Sequence, residues 1–403
     1  MKGDSFDMIL EISQEYLKNE MKKVNAHPAS FNIFKDKSMI IPLKLFDIPT
    51  PGANIIKQEM LSSGGDAVVH KNAVDCNVET SDIILLGTKK HYNILMEKLQ
   101  KMPYFKLDKA CCELKKFFST EKTNFIKSPW GRTLSFDKTR VMGIINVTSD
   151  SFYSGSRKQS IQEILDTARD MIQSGADVVD IGGMSTRPGS DPISEEDEAK
   201  RVVMAIKAIR ENYHDIMISV DTYRSNVAEK ALEAGADIIN DVSGFSFDQK
   251  LVEVAAKSNA PYILMHIKGT PKNMQENPTY DDLIKEIAQY FIDKINYAIS
   301  FNMDENNIIL DPGLGFGKTY KDNMEIMDRV RELQSLHRPL LIAASRKSFI
   351  GKALDLKSAD DRLEGTLAIT ALCAYQDVDM VRVHDVKENV RIIEMVEAIK
   401  CRR

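Results

Sequence analysis

The sequence contains two copies of one local pattern, GADVVDIGG at residues 175–183 and GADIINDVS at residues 235–243. In each copy, a glycine of the kind that ends helices precedes a short β-branched run, which predicts a strand. From Arg140 onward, strand, polar loop and amphipathic helix alternate in the same way. Eight strands are predicted, at Arg140–Val147, Asp177–Gly182, Ile216–Thr222, Asp237–Ser243, Pro261–Ile267, Asn307–Pro312, Pro339–Ser345 and Met380–Asp385.

Eight alternations over residues 140–400 favour an α/β fold, specifically a closed (β/α)8 TIM barrel, which typically takes about 250 residues. The alternative is an open doubly wound sheet with additional strands. The intervening segments have helical periodicity, because apolar residues recur at spacings of three and four, as in Ile161, Ile164, Leu165 and Ala168. We therefore assign residues 131–403 to the barrel.

Residues 1–130 lack this alternation and are assigned to a small α+β extension of unknown role. An amphipathic helix is predicted over Phe6–Lys23, followed by short β-like runs and a helix over His91–Leu99. The runs Thr133–Phe136 and Thr139–Met142 are separated by two polar residues, which predicts a hairpin that leads into the barrel. The extension contains no chemical motif that we can identify.

The composition limits the classes of partner. The chain has 403 residues, with 54 Lys and Arg against 59 Asp and Glu, for a net charge of −5, which argues against a protein that coats nucleic acid. A local cluster of cations could still bind an anionic small substrate. Five cysteines without metal-ligand spacing favour reduced thiols. Because no long uncharged apolar window or signal-like segment is present, we expect no membrane partner and a cytoplasmic location.

Every predicted barrel strand ends in polar or ionisable residues. A barrel enzyme places its active site at the C-terminal ends of its strands. In strand order the end groups are Asn146, Asp180, Asp221, Asn240, His266, Asp311, the segment Ser345–Lys347, and Arg382 with His384. Eight independent accidents explain this less well than one shared site, so we expect an active site there.

Three of these groups suit a flat heterocycle. Asp221, Asn240 and Asp311 offer acceptor oxygens and one amide donor in the mouth of the barrel. A carboxylate can accept two parallel N–H bonds, so this set fits a ring with a guanidine-like edge.

A second group suits an anionic leaving group. Arg187, Lys347, Arg382 and His384 supply positive charge at the rim of the barrel. Asn146 offers an oxygen for Mg²⁺, which keeps several waters and takes its other ligands from substrate phosphates. A heterocycle and a diphosphate in one cleft suggest the transfer of an activated group.

At this point the motifs match a known family. The run MGIINVTSDSF at residues 142–152 and the run DIGGMSTRPG at residues 180–189 closely resemble two signatures of dihydropteroate synthase. Similar segments follow in order over about residues 135–400, at residues 219–222, 240–242, 265–271, 311–318, 345–348 and 382–385. A match of so many motifs in the family's order is highly specific.

The resemblance implies a reaction. The family joins a dihydropterin that carries a 6-hydroxymethyl diphosphate to p-aminobenzoate, which releases diphosphate and forms dihydropteroate, a folate precursor. Loss of diphosphate comes first in that picture, so the amine needs no strong general base and the protein mainly supplies preorganised electrostatics.

The resemblance also implies roles for particular residues. The pterin would contact Asp221, Asn240, Met265, Asp311, Phe316 and Lys347. The diphosphate would contact Asn146, Arg382 and His384, with Mg²⁺ as cofactor on Asn146. The arylamine would contact Thr186, Arg187, Pro188 and Ser345. The catalytic set would be Lys347, Asp221, Arg382 and His384.

Two residues depart from the family pattern, and three other functions remain as alternatives. Ser149 replaces the usual proline of the first loop, and Met184 replaces the usual glutamate of the second, which affects the arylamine site rather than the pterin pocket. The alternatives are a related synthase of a methanopterin-type pathway with another arylamine, a pterin-dependent methyltransferase that serves a corrinoid protein, and a non-catalytic pterin-binding protein. A homodimer formed through the last helices is a family expectation.

Overall fold

The structure is a computed structural model that describes residues 9–147, 157–184, 193–271 and 273–400. Internal contacts divide the chain into two compact units, one up to Glu121 and the other from Lys122 onward. Each unit buries its own apolar cluster, so each has the core that an independently folded domain needs.

The N-terminal unit is built on a three-stranded antiparallel sheet in the order β1-β3-β2. The strands are β1 (Ile41–Pro49), β2 (Asp66–Val68) and β3 (Thr80–Gly87). The helices are α1 (Leu17–Lys23), α2 (Ala29–Lys35), α3 (Thr50–Ser62), α4 (Lys89–Leu99) and α5 (Leu107–Ser119). Alternate residues of β3 are buried, and Ile83 and Leu85 share a core with residues of the helices.

Two predictions for this unit need correction. The helix predicted over Phe6–Lys23 is wrong at residues 9–13, since the described residues are helical only from Gln14 onward, and residues 6–8 lie outside the described residues. Strand β1 is not among the predicted β-like runs, which lie at Ala67–His70 and Ile83–Leu86, because Pro42 and Pro49 favour a loop. β1 lies at the edge of the sheet, where a residue without a backbone N–H is tolerated.

The C-terminal unit contains an eight-stranded parallel sheet within the described residues, and the predicted barrel is confirmed. Its strands are β6 (Arg140–Asn146), β7 (Val178–Gly182), β8 (Met217–Asp221), β9 (Ile238–Asp241), β10 (Tyr262–Met265), β11 (Ile308–Asp311), β12 (Leu341–Ile342) and β13 (Met380–Val383). Strand β13 pairs with β6, and a parallel bridge between Leu310 and Leu340 connects the remaining edges.

Helices surround the barrel. They are α6 (Arg157–Gln173), α7 (Glu195–Asn212), α8 (Ser225–Glu233), α9 (Lys250–Ser258), α10 (Leu283–Ser300), α11 (Tyr320–Asp328), α12 (Val330–Gln334), α13 (Ser348–Leu354), α14 (Leu363–Tyr375) and α15 (Val386–Lys400). Among the described residues, no helix combines the length and the apolar character that crossing a membrane requires.

A short hairpin joins the lower end of the barrel. It consists of β4 (Phe125–Lys127) and β5 (Thr133–Ser135), and its Ile126 and Leu134 share an apolar cluster with the first inward residues of the barrel strands. The predicted pairing of Thr133–Phe136 with Thr139–Met142 is wrong. The second run belongs to β6, which pairs in parallel with β7 and β13.

The barrel interior is arranged in layers, as expected for this fold. The lowest layer is apolar and includes Met142, Val178, Met217 and Met380. Two residues further along, the interior becomes polar on five of the described strands, at Asp180, Ser219, Asn240, Asp311 and Arg382. The fold therefore puts an apolar floor beneath a charged mouth.

Candidate active site

Asn146, Asp221 and Asn240 lie level with one another at the mouth of the barrel. Asn146 is paired in register with Gly182 on β7, Gly182 with Asp221, and Asp221 with Asn240. Residues that are paired in register on parallel strands face the same side of the sheet, so these side chains face the interior.

Neighbouring residues with similar chemistry can face opposite ways. Asp241 follows Asn240 but accepts hydrogen bonds from the backbone N–H groups of Ser243 and Phe245, both at 2.7 Å, and from the Tyr262 hydroxyl. It therefore shapes the loop after β9 and does not belong to the interior set.

Arg382 connects two carboxylates within the barrel. Its Nε donates to Asp180 Oδ2 at 2.6 Å, and its Nη2 donates to Asp221 Oδ2 at 2.6 Å. The guanidinium is 18% exposed, so most of its charge is satisfied inside the barrel rather than by solvent. Sequence reasoning placed Arg382 at the rim and did not foresee this pairing.

These contacts change the acid–base properties of the groups. Burial raises the pKa of the Asp221 carboxyl above its usual range, although Arg382 opposes the shift, and the charge of Asp180 raises it further. The same two carboxylates raise the pKa of Arg382 against the effect of burial. Arg382 is therefore a permanent cation here.

Asp311 and Lys347 form an oppositely charged pair of groups on the other side of the mouth. Burial raises the pKa of Asp311, and Lys347 opposes this shift. Burial lowers the pKa of Lys347 to about 8, although Asp311 works in the opposite direction. The Lys347 ammonium also donates to the carbonyl oxygen of Leu314.

An apolar wall borders this charged region. Met265 on β10 is paired in register with Asp311 on β11. It belongs to a small apolar cluster with Val242 and Met274. Phe316 packs against this cluster, and its ring centroid lies 4.8 Å from Lys347 Nζ. A flat ring held at Asp311 could stack against such a surface.

Ser345 and His384 are in direct contact. Ser345 Oγ accepts from the backbone N–H of His384 at 3.2 Å and lies 3.0 Å from its Nδ1. Next to them, Arg346 makes a bidentate pair with Asp385, with bonds of 2.6 and 3.0 Å. Sequence reasoning gave neither Arg346 nor Asp385 a role, although their position beside predicted site residues was a usable signal.

A buried lysine connects the loops that follow β10 and β11. Lys318 Nζ lies 2.9 Å from His266 Nδ1 and donates to the carbonyl oxygen of Phe316 at 3.0 Å. Burial lowers the pKa of His266 to about 2, so the imidazole is neutral and can accept from the lysine. His266 was predicted at a strand end, and the structure gives it this supporting contact.

The predicted arylamine residues Thr186, Arg187 and Pro188 lie outside the described residues, as does Ser149. Met184, the last described residue before that loop, is partly exposed. The structure thus brings together the residues predicted for the pterin and the diphosphate, and it places only Ser345 of the arylamine set.

The region that contains this site is similar to known proteins. The family described as pterin binding enzymes matches residues 142–384. Dihydropteroate synthase of Clostridium beijerinckii is 45% identical over 264 residues, which cover 65% of this chain and 95% of that protein. The chain belongs to the dihydropteroate synthase family.

Solved dihydropteroate synthase structures agree. The chain resembles the Yersinia pestis enzyme in a sulfonamide complex with a TM-score of 0.64 and 38% identity, over 69% of this chain and 99% of that one. It also resembles the Xanthomonas albilineans enzyme in complex with 7,8-dihydropteroate, with a TM-score of 0.60 and 31% identity, over 67% and 97% of the two chains. Both comparisons cover nearly the whole of the solved chain and about two thirds of this one.

Proposed function

We propose that this chain, as a dihydropteroate synthase, joins 6-hydroxymethyl-7,8-dihydropterin diphosphate to p-aminobenzoate. The bond between the methylene carbon and the diphosphate oxygen breaks, and its electron pair leaves with diphosphate. The amine lone pair forms the new C–N bond, and a proton leaves the nitrogen. The observation that carries the proposal is the convergence of Asp311, Asn240 and Lys347 with Arg382 in one barrel mouth.

The pterin fits the deeper part of this mouth. Asp311 and Asn240 are 4% and 5% exposed, and Asp311 Oδ1 already accepts from the Gly313 N–H at 2.7 Å. A ring that replaces water there must therefore offer N–H donors to the remaining acceptor positions. Lys347 would donate to the ring carbonyl and a ring nitrogen. Met265 and Phe316 supply the apolar surface for the ring faces.

The departing diphosphate needs cations above the pterin. Arg382 and His384 fit this role because Arg382 lies on β13 and His384 directly follows the end of that strand. β13 pairs with β6, the strand that ends in Asn146. Asp221 would stabilise positive charge as it develops on the methylene carbon. The protein thus holds a carboxylate for the carbon directly beside a cation for the leaving group, since Arg382 donates to Asp221.

Mg²⁺ fits beside Asn146. A Cβ on Gly182 would lie 3.6 Å from Asn146 Oδ1 and 3.9 Å from Asp221 Oδ2, so the glycine keeps a gap between these two oxygens. Such a sparse oxygen set suits an ion that takes further ligands from phosphate and water. When bound, Mg²⁺ would neutralise charge on the diphosphate, and Asn146 would hold it at the mouth.

The arylamine would lie toward the outside of the mouth. Thr186, Arg187 and Pro188 together with Ser345 form the proposed contact set, and Arg187 would pair with the carboxylate of p-aminobenzoate. Met184 stands where the family has glutamate. A different arylamine, as in methanopterin-type pathways, is the second candidate, and this substitution is the observation that favours it.

The test is diphosphate release from the pterin diphosphate with Mg²⁺, with and without p-aminobenzoate, with dihydropteroate identified by mass spectrometry. Amine-dependent release is expected. Lys347→Ala and Asp311→Ala should both remain folded and lose nearly all turnover. Wild-type-like turnover in either variant would contradict the assignment. Binding of the pterin without turnover would favour a different arylamine as the substrate. In that case, Met184→Glu should restore the use of p-aminobenzoate.

A homodimer is proposed for the assembly and the cytoplasm for the location. Helices α14 and α15 pack together and leave Leu372, Tyr375, Met395 and Ile399 exposed. Exposed apolar residues on two helices that pack together favour association with another protein surface. Sedimentation should give a dimer mass for the wild type and a monomer mass for Met395→Glu, and a wild-type monomer would contradict the proposal.

A further inference from the structure

Asp180 lies one layer below Asn146 and Asp221 in the barrel interior. It belongs to β7, two residues before Gly182, and its side chain is fully buried. Its register partner on β8 is Ser219. A buried carboxylate costs free energy unless partners satisfy it, so its contacts indicate what it is for.

One oxygen of Asp180 makes the contacts that the structure shows. Oδ2 accepts from Arg382 Nε at 2.6 Å and from Asn240 Nδ2 at 3.2 Å. Oδ1 is buried and accepts no hydrogen bond from any described residue. The carboxylate therefore serves two side chains, one proposed for the diphosphate and one for the pterin.

The contact with Arg382 fixes which edge of the guanidinium remains for a ligand. A guanidinium has two edges that can each bind an anion side by side, one formed by Nε and Nη2 and the other by Nη1 and Nη2. Asp180 and Asp221 hold the first edge. The second edge is the one left for a diphosphate.

The contact with Asn240 fixes the orientation of an amide. A carboxylate attracts the NH₂ group and repels the carbonyl oxygen, so Asn240 turns its Nδ2 toward Asp180. The amide oxygen is then left on the other side as an acceptor for the N–H groups of a pterin.

We infer that Asp180 is a positioning residue, whose single oxygen orients Arg382 for the diphosphate and Asn240 for the pterin. This inference rests on the proposed function, because it assigns those two ligands to that pocket. It also couples the two subsites, since one carboxylate supports both.

The experiment compares Asp180→Ala with Asp180→Asn. Asparagine can keep an oxygen toward Arg382 and Asn240, whereas alanine removes both contacts. We expect kcat to fall about 10- to 100-fold in Asp180→Ala and less in Asp180→Asn. Calorimetry should show that inorganic diphosphate, added with Mg²⁺ and a 6-hydroxymethylpterin, binds about tenfold more weakly to Asp180→Ala.

The direction of the affinity change separates orientation from charge. If Asp180 acted only through its negative charge, its removal would strengthen the binding of an anion, and the two variants would behave alike. Tighter diphosphate binding in Asp180→Ala, or equal kcat in the two variants, would therefore overturn the inference. Ser219→Ala is the matched control, because it removes an oxygen from the same layer that bonds to no described residue.

Two safeguards keep the test decisive. If Asp180→Ala does not fold, Asp180→Asn alone is compared with the wild type. Because asparagine keeps the orienting oxygen, a kcat loss of about 100-fold in Asp180→Asn would overturn the inference. If the wild type shows no amine-dependent turnover, the proposed reaction fails, whereas the diphosphate and pterin binding comparison still decides the role of Asp180.

Discussion

Raising the pH above about 8 is expected to remove the charge of Lys347 and, with it, turnover. Burial lowers the pKa of this lysine from an ordinary 10.5 to about 8. About one molecule in ten would then carry a neutral Lys347 at pH 7, and about nine in ten at pH 9. If the ammonium must donate to the pterin, kcat/KM should fall about tenfold for each pH unit well above 8.

The assay is the initial rate of diphosphate release between pH 6 and pH 10, for the wild type and for Lys347→Arg. Arginine stays protonated throughout, so the variant should be slower but should lose the decline above pH 8. Because both proteins use the same substrates, titration of the substrates cancels in the comparison. A wild-type profile that is flat from pH 7 to pH 10, or an unchanged decline in Lys347→Arg, would refute the reasoning.

The lowered pKa of Lys347 also predicts the direction in which the free energy of unfolding changes with pH. Between about pH 8 and pH 10.5 the unfolded chain binds a proton that the folded chain has released, so stability should rise with pH. One such group contributes at most about 1.4 kcal/mol per pH unit. The free energy of unfolding of the wild type, measured against Lys347→Met over this range, should show that rise.

Three further outcomes follow from contacts described above. Gly182→Ala should fold, because its Cβ would make only ordinary contacts. The Cβ would narrow the gap between Asn146 and Asp221, so the Mg²⁺ concentration that gives the half-maximal rate should rise about tenfold. An unchanged Mg²⁺ requirement would count against Mg²⁺ at Asn146. Ile126→Ala should lower the free energy of unfolding by about 3 kcal/mol and leave kcat unchanged, because the hairpin lies at the opposite end of the barrel. A chain without residues 1–121 should stay folded by circular dichroism, since each unit has its own core, and an insoluble product would contradict this.

The barrel could be predicted from sequence because its signal is repetitive. The spacing of apolar residues in each segment indicates whether it is a strand or a helix, and the regular alternation of the two indicates a barrel. The predicted strands are longer than the observed ones, since runs such as Asp237–Ser243 continue into loops that remain buried. The hairpin prediction failed because local pairing of Thr139–Met142 competes with parallel partners far away in sequence, and the parallel partners prevail.

The site could be predicted only in part. Strand ends identify which residues face the mouth, so Asn240, Asp311 and Arg382 are found from position alone. Sequence position does not say which inward residues meet across the barrel, and the contact between Asp180 and Arg382 is of that kind. The alternation of faces also separates Asn240 from Asp241, whose chemistry alone would suit the same role.

The hairpin at the lower end has a kinetic consequence. Because Ile126 and Leu134 pack onto the apolar floor, both substrates and both products must pass through the same opening. The pterin residues lie deepest, so an arylamine that arrived first would block the route to them. Addition is therefore expected in a fixed order, with the pterin first and diphosphate departing before the joined product.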